Sequence, residues 1–210
     1  MPEWTVVDLG CKKGGALDVY RKHGHTMYKF PEAPRSKCLG IDLKERYQPE
    51  MAKRRYEFRK ANVLTDFDFP AADVYLAFDF LEHLPSIADS QQVLRRMIDA
   101  AAVGVWLRCP SFEDEPQLTT VGLRFAWTRW KGHPSHFKLA DATAVTSTYD
   151  AVTVRIKPNE KIVSAADRRI VPEYAPEDTV KYSSELGTKP DCSFNPPLVG
   201  QYEIFIRKET

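Results

Sequence analysis

The sequence predicts an α/β protein built on a mixed sheet of seven strands with helices on its flanks. Short apolar stretches that end in an acidic or polar residue alternate along the chain with amphipathic segments of helical period. The first of them, residues 4–8, opens directly into a glycine-bearing loop and a helix, which is the first half of a β-α-β unit. The last, residues 202–207, follows a hairpin-like return and so completes the sheet as an antiparallel strand.

Composition limits the classes of protein to consider. The chain has 30 basic and 29 acidic residues, so no net field favours nucleic acid or an anionic membrane. Four scattered cysteines form no Cys-x-x-Cys pair, which argues against a zinc site and a disulfide framework. No apolar run approaches the roughly 20 residues of a membrane span, and no signal-peptide pattern is visible. We expect one cytoplasmic domain over 1–210, with an irregular excursion at about 158–199 before the last strand.

The individual elements follow from the same patterns. Predicted helices lie at 15–23, 44–55, 86–102 and 139–149. Predicted strands lie at 4–8, 38–42, 56–61, 73–78, 103–108, 151–157 and 202–207. The strand at 103–108 stops before Pro110, because proline cannot continue a hydrogen-bonded ladder.

The glycine loop has the spacing Asp8-x-Gly10-x-Lys12-x-Gly14. This differs from the Gly-x-Gly-x-x-Gly fingerprint of dinucleotide-binding folds. It resembles motif I of the class I S-adenosylmethionine-dependent methyltransferases, with Lys12 at the middle glycine. The resemblance implies the Rossmann-like fold of that class and S-adenosylmethionine as cofactor. It also implies that Asp8, Gly10, Cys11, Lys12 and Gly14 shape the loop that holds the cofactor.

Two further strand ends extend this resemblance. Asp42 ends the second predicted strand, where a carboxylate can accept hydrogen bonds from both ribose hydroxyls, and Leu43 is placed in the same set of contacts. Asn62 and Val63 stand where the family carries an acidic adenine ligand. We expect them to contact the adenine, with the Asn62 amide replacing that acid.

The fourth predicted strand runs into a Leu-Glu-His-Leu turn, a sequence that many small-molecule methyltransferases carry at this place. The resemblance places Phe78 and Asp79 at the methionine end of the cofactor. Methyl transfer to a hydroxyl also needs a group that removes a proton. The candidates are Asp79, Glu82, His83, His133 and His136. An imidazole titrates near neutrality, but a structural histidine that hydrogen-bonds a strand end is an equal alternative for the last two.

A metal-dependent alternative rests on the same turn. The set Asp79, Glu82, His83 and the distant His136 resembles the ligands of the metal-dependent small-RNA 3′-end 2′-O-methyltransferases. Oxygen and imidazole ligands suit Mg²⁺ or Mn²⁺. The Leu-Glu-His-Leu turn is also common in metal-free relatives, so our favoured assignment contains no metal.

These observations favour methyl transfer to a hydroxyl group of a small molecule or a sugar. One alternative is RNA ribose methylation, with the basic and aromatic residues 124–130 contacting the RNA. Another is a methyltransferase fold that serves as a non-catalytic assembly subunit. Because the first strand begins at residue 4, no helix precedes it to cover the cofactor. We expect the excursion, a second copy or a partner subunit to cover the site, unless it stays open; a membrane partner is not expected.

Overall fold

A computed structural model describes residues 2–209, which form a central sheet between two layers of helices. The strands are β1 (Trp4–Leu9), β2 (Cys38–Asp42), β3 (Glu57–Lys60), β4 (Ala72–Phe78), β5 (Ala101–Pro110), β6 (Leu123–Phe125), β7 (Val152–Ser164), β8 (Ile170–Pro172) and β9 (Ser193–Lys208). The helices are α1 (Gly15–Tyr28), α2 (Gln48–Lys53), α3 (Ile87–Ala100), α4 (Glu115–Thr120) and α5 (Leu139–Thr146). The main sheet has the order β3-β2-β1-β4-β5-β9-β7, and β9 is antiparallel to both neighbours. The predicted seven-stranded mixed sheet is confirmed.

Apolar side chains alternate between the two faces of this sheet. Val6 packs with Leu17 of α1 and with Trp106, whereas the next residue, Val7, packs with Met97 of α3. Successive residues of a strand point to opposite faces, so one strand supplies both cores. Parallel strands are typically covered on both faces in this way. Among residues 2–209, no helix combines the length and the apolarity that crossing a membrane requires.

The strand order reverses direction between β1 and β4. From β1 the chain adds β2 and β3 on one side and then returns to place β4 on the other. In open α/β sheets, ligands bind in the crevice beyond the carboxyl ends of the strands at such a reversal. The segments that follow β1, β2, β3 and β4 therefore meet at one place.

Helix α1 is five residues longer than the predicted 15–23. The prediction ended it before Gly24, because glycine usually weakens a helix. In the structure Gly24 is buried beneath the ring of Tyr20, where a Cβ would lie 3.1 Å from the ring carbon Cδ2. The helix ends at Tyr28, and the next residue, Lys29, has a φ of 54° and donates its N–H to the carbonyl of His25. The contact between Gly24 and the Tyr20 ring, one turn earlier in the same helix, thus accompanies a helix that continues through the glycine.

The irregular segment is shorter than the expected 158–199. Strand β7 continues to Ser164 and pairs with β9 from Ser193 onward, so only residues 165–192 leave the main sheet. Pro158 does not stop β7, because an edge strand tolerates proline. The segment between the strands contributes β8, which pairs with β6 in a second, two-stranded sheet. Helix α4, β6 and β8 were not predicted. They share a small apolar core: Leu118, Leu123, Phe125, Ile162, Ala165, Ile170, Phe194 and Leu198.

Arg124 holds this added layer, which we call the cap (residues 111–137 and 165–192). Its side chain is fully buried, and its guanidinium donates hydrogen bonds to the carbonyl oxygens of Phe125, Ala126, Ala175 and Pro176, at 3.1, 3.4, 3.0 and 3.0 Å. A buried cation in this position cannot contact a phosphate. The expectation that 124–130 forms a basic surface for RNA is therefore wrong for its first arginine.

Gly104 lies where β5 pairs with β9, and its replacement tests the tightness of that pairing. A Cβ at this position would overlap the backbone carbonyl oxygen of Ile206, which cannot move without the strand. We expect Gly104→Ala to lower the free energy of unfolding by about 2 kcal/mol, the usual scale of overpacking. Chemical denaturation measures this. Gly15→Ala, whose Cβ meets nothing within 4 Å, is the control and should leave stability unchanged or slightly raised.

Candidate active site

A cavity of about 490 Å³, which we call the main cavity, opens at the carboxyl ends of β1 to β4. Its wall includes eight of the residues that the sequence predicts for the site: Gly10, Lys12, Asp42, Leu43, Asn62, Val63, Asp79 and His83. Trp130 and Gly132 of the cap complete the wall. The volume is in the range typical of small-molecule sites. Side chains from four strand ends thus meet around one space.

The glycine loop after β1 is fixed to β2 by its backbone. The N–H groups of Gly10 and Cys11 donate to the carbonyl of Ile41 at 2.9 and 3.1 Å. Gly10 has a φ of 69°, and a Cβ there would overlap the ring of Phe80. Lys12 has a φ of 47°, so the loop keeps its left-handed turn with a residue other than glycine, at a cost of about 1 kcal/mol. The lysine in the motif therefore leaves the path of the loop intact.

Asp42 joins the loop to the end of β2. One carboxylate oxygen accepts the N–H of Lys12 at 3.1 Å, and the other accepts the N–H of Lys44 at 2.9 Å. A carboxylate has about four acceptor positions, so both oxygens keep capacity for a pair of neighbouring hydroxyls. The exposed side chain of Leu43 adds apolar surface to the same wall.

Asn62 and Val63 form the wall after β3. The side-chain oxygen of Asn62 accepts the N–H of Leu64 at 3.0 Å, which leaves the NH₂ group as its free donor. This group suits a ring nitrogen of adenine, which accepts hydrogen bonds, better than the exocyclic amine. Val63 and Ala61 are buried and give the cavity an apolar floor.

Four residues predicted to bind the cofactor lie behind the wall of the main cavity: Asp8, Cys11, Gly14 and Phe78. Asp8 is 1% exposed, and burial raises its pKa well above the usual value, with a further rise from the charge of Asp42. Gly14 packs on α2, since a Cβ there would lie 2.8 Å from the sulfur of Met51. Cys11 and Phe78 line a different cavity, of about 400 Å³. These residues support the loop and do not form the wall.

Asp79 follows β4 in a strained conformation with a φ of 49°. Its N–H donates to the carbonyl of Arg108 at 2.8 Å, and one carboxylate oxygen accepts the side-chain amide of Gln201 at 2.9 Å. Burial raises the pKa of Asp79, while the Arg108 and Lys12 charges oppose the rise. A non-glycine residue with positive φ at a strand end is typical of functional positions.

A second cavity of about 270 Å³, the side cavity, adjoins the main one. The two share Lys12, Asp79, His83 and Trp130. The side cavity adds further residues: Glu82, Pro110, Ala126, Trp127, His133 and Val180. Sequence reasoning missed its tryptophans and Val180, because it interpreted the aromatic and basic stretch 124–130 as an RNA surface. In the structure, Trp127 and Trp130 instead line the side cavity.

Glu82, His83 and His133 come together on the wall of the side cavity. One ligand atom from each lies within 4.8 Å of the others. The Nδ1 of His83 donates to the carbonyl of Gly132, so its Nε2 carries the lone pair. His133 bonds the backbone of Trp127, and its Nδ1 is buried without a partner among the described residues. In each imidazole, therefore, one ring nitrogen bonds the backbone and the other has a lone pair without a backbone partner.

The electrostatics of these three groups favour neutral forms. Burial raises the pKa of Glu82 to about 8, and the Asp79 charge adds to the effect. Burial lowers the pKa of His133 to about 4, helped by His83. The pKa of His83 is also lowered by burial. Glu82 is 1% exposed, and its Oε2 has no partner within residues 2–209. A buried, unpartnered carboxyl beside two neutral imidazoles can take a proton or bind a cation.

His136 does not belong to this cluster. Its ring stacks on Phe112, with a centroid separation of 4.5 Å and an interplanar angle of 11°. In the alternative metal set of the sequence analysis, His136 is therefore replaced by His133, which the loop turns toward Glu82. His136 supports the cap from outside both cavities.

Neither a protein-family model nor a curated protein matches the sequence, but solved structures do. The YcgJ protein from Bacillus subtilis has a TM-score of 0.63 and 13% identity, over 100% of this chain and 93% of its own. Magnesium protoporphyrin IX methyltransferase from Synechocystis PCC 6803 was solved with bound S-adenosylhomocysteine. It has a TM-score of 0.56 and 13% identity, over 100% of this chain and 75% of its own. The small RNA methyltransferase HEN1 has a TM-score of 0.60 and 14% identity, over 100% of this chain and 24% of its own.

Similarity at this level of identity concerns architecture. The seven-stranded mixed sheet with flanking helices matches the folds of these neighbours. The chain has the fold of the class I S-adenosylmethionine-dependent methyltransferases.

Proposed function

We propose that the protein transfers a methyl group from S-adenosylmethionine to a hydroxyl group of a small molecule or a sugar. The main cavity holds the cofactor, and the side cavity holds the acceptor. The observation that carries this proposal is the junction of the two cavities. Lys12, Asp79, His83 and Trp130 line both, so a methyl group bound in one faces a hydroxyl bound in the other.

The residues of the main cavity fit this cofactor. Because Gly10 has no Cβ, the ring of Phe80 packs directly on the loop backbone, and both residues line the main cavity. Asp42 offers a carboxylate to the ribose diol, and Asn62 offers its NH₂ to the adenine. Asp79 is placed to accept from the amino group at the methionine end.

The side cavity supplies the proton acceptor. When bound, S-adenosylmethionine presents an electrophilic methyl group, and its displacement needs positioning and exclusion of water more than covalent help. Glu82, in its ionised form, takes the proton of the acceptor hydroxyl. Trp127 and Trp130 exclude water from this exchange. Since the pKa of Glu82 is about 8, the rate is expected to rise with pH up to that value and then level off.

The first test is calorimetric titration of the purified chain with S-adenosylmethionine and with S-adenosylhomocysteine. Micromolar binding of both would support the cofactor site and justify a screen of acceptors. Absence of binding at millimolar ligand would reject it. That result would favour the alternative of a non-catalytic assembly subunit with this fold.

The cluster of Glu82, His83 and His133 favours one second candidate, a metal-assisted ribose 2′-O-methyltransferase. Two imidazoles and a carboxylate are ligands for Mn²⁺ or Mg²⁺. Both rings are held by backbone acceptors, an arrangement that orients metal-binding histidines in proteins. A metal here would lower the pKa of the acceptor hydroxyl. HEN1, one of the structural neighbours, is a small RNA methyltransferase.

Two variants separate these candidates. If the cluster binds metal, Mn²⁺ should bind the wild type, and His133→Ala should weaken binding by about tenfold or more. His136→Ala is the matched control and should bind as the wild type does, because His136 lies on Phe112. Calorimetry, or the electron spin resonance signal of free Mn²⁺, measures Mn²⁺ binding by the wild type and by both variants. Equal, weak binding by all three proteins would reject the metal site and leave the first candidate.

A further inference from the structure

Lys12 occupies an unusual position in this site. It stands at the middle glycine of the cofactor loop, with a φ of 47° that glycine adopts freely and lysine adopts at a cost. Lys12 is exposed and lines both the main and the side cavity. A strained residue at the junction of two cavities points to a role for its side chain.

The charge of Lys12 has no close partner. Among residues 2–209, no carboxylate oxygen lies within 4.0 Å of its ammonium group, although Asp79 and Glu82 line the same cavity. Of the described residues on the side-cavity wall, Lys12 is the one lysine or arginine. An ammonium group without a partner at a cavity wall is a ready site for an anionic group of a ligand.

Four of the nine other residues that line the side cavity carry aromatic rings. The rings of Trp130 and His133 lie 4.5 Å apart, and His83 meets Trp130 edge-on at 6.0 Å. The indole N–H of Trp127 is already bonded to the Ser111 carbonyl at 2.8 Å, so this ring offers only apolar surface. Such walls favour a planar ring. A cavity of about 270 Å³ has space for one small ring and its substituents.

We propose that the acceptor is a small aromatic hydroxy acid whose carboxylate binds Lys12. Its ring packs against Trp127 and Trp130, and its hydroxyl faces Glu82. The hydroxyl oxygen forms a bond to the methyl carbon while the sulfur–carbon bond of the cofactor breaks, and the proton passes to the Glu82 carboxylate. The products are the methyl ether and neutral S-adenosylhomocysteine. This proposal rests on the proposed function and names its substrate class.

The test compares an acid with its neutral isostere. The full chain, saturated with S-adenosylhomocysteine, is titrated with para- and meta-hydroxybenzoate and with the matching hydroxybenzamides. We expect the acids to bind about tenfold more tightly than the amides. Lys12→Met and Lys12→Gly should reduce this ratio to near one. Lys13→Met is the matched control and should retain it, because Lys13 is absent from the side-cavity wall. The ratio is independent of any change in cofactor affinity.

Three results would overturn the proposal. They are equal binding of acid and amide by the wild type, an unchanged ratio in both Lys12 variants, and no binding of any of these compounds at millimolar concentration. If the Lys12 variants weaken the binding of S-adenosylhomocysteine and leave the acid-to-amide ratio unchanged, Lys12 binds the cofactor and not the acceptor. Failure to bind S-adenosylhomocysteine at all would instead reject the proposed function, and this inference with it.

Discussion

Glu82→Gln should raise the free energy of unfolding by about 3 kcal/mol at neutral pH while it abolishes methyl transfer. The pKa of Glu82 is about 8 in the folded protein, against an ordinary value of 4.5. Ionisation therefore favours the unfolded chain. The contribution of Glu82 to stability is therefore greatest below about pH 4.5 and is lost as the pH rises toward 8. Glutamine keeps the size of the side chain but does not titrate, so the variant escapes this loss.

Denaturation curves at several pH values, in the presence of a chelator, measure the effect. The difference between variant and wild type should be small in acid, grow through neutrality and level off above about pH 8. Glu203→Gln is the control. That carboxylate is also buried, but it lies 3.2 Å from Lys157 and 3.7 Å from Arg108, so its loss should destabilise the protein. A Glu82→Gln variant that is less stable at every pH would contradict the prediction.

Asp42→Ala should weaken binding of S-adenosylhomocysteine by about a hundredfold, or about 3 kcal/mol. Two effects combine. The ribose loses a charged acceptor, and the N–H groups of Lys12 and Lys44 lose the carboxylate that fixes both loops. Calorimetry measures the dissociation constant, and the heat of unfolding shows whether the variant is folded.

The control for this variant is Glu45→Ala. Glu45 lies three residues from Asp42 but pairs with Lys60 outside the cavity wall. The affinity of the Glu45→Ala variant for S-adenosylhomocysteine should equal that of the wild type. If Asp42→Ala binds as tightly as Glu45→Ala, the cofactor does not use the end of β2, and the proposed orientation in the main cavity is wrong.

The strand ends of the site could be predicted because their signal is local. Asp42 and Asp79 each follow a short apolar run, and the carboxyl ends of parallel strands meet at one edge of the sheet. Asn62 follows the next strand in the same way. Their positions at strand ends, together with the resemblance to methyltransferases, thus predicted the site residues, and all three line the main cavity.

The cap could not be predicted, because its structure depends on distant partners. Arg124 has the local pattern of a surface cation, and two of the four carbonyls that accept from its buried guanidinium belong to the distant residues Ala175 and Pro176. His133 and His136 are three residues apart, and the backbone of the loop decides which of them meets Glu82. Strands β6 and β8 are three residues each, too short for a periodic pattern.

The position of β9 has a consequence for synthesis of the protein. This strand lies between β5 and β7, yet its residues leave the ribosome after all the others of the sheet. Until then β5 and β7 each present an unpaired edge, and such edges invite pairing with other chains. The main sheet therefore cannot be completed before β9 is synthesised, and a chaperone that shields strand edges would raise the yield of native protein.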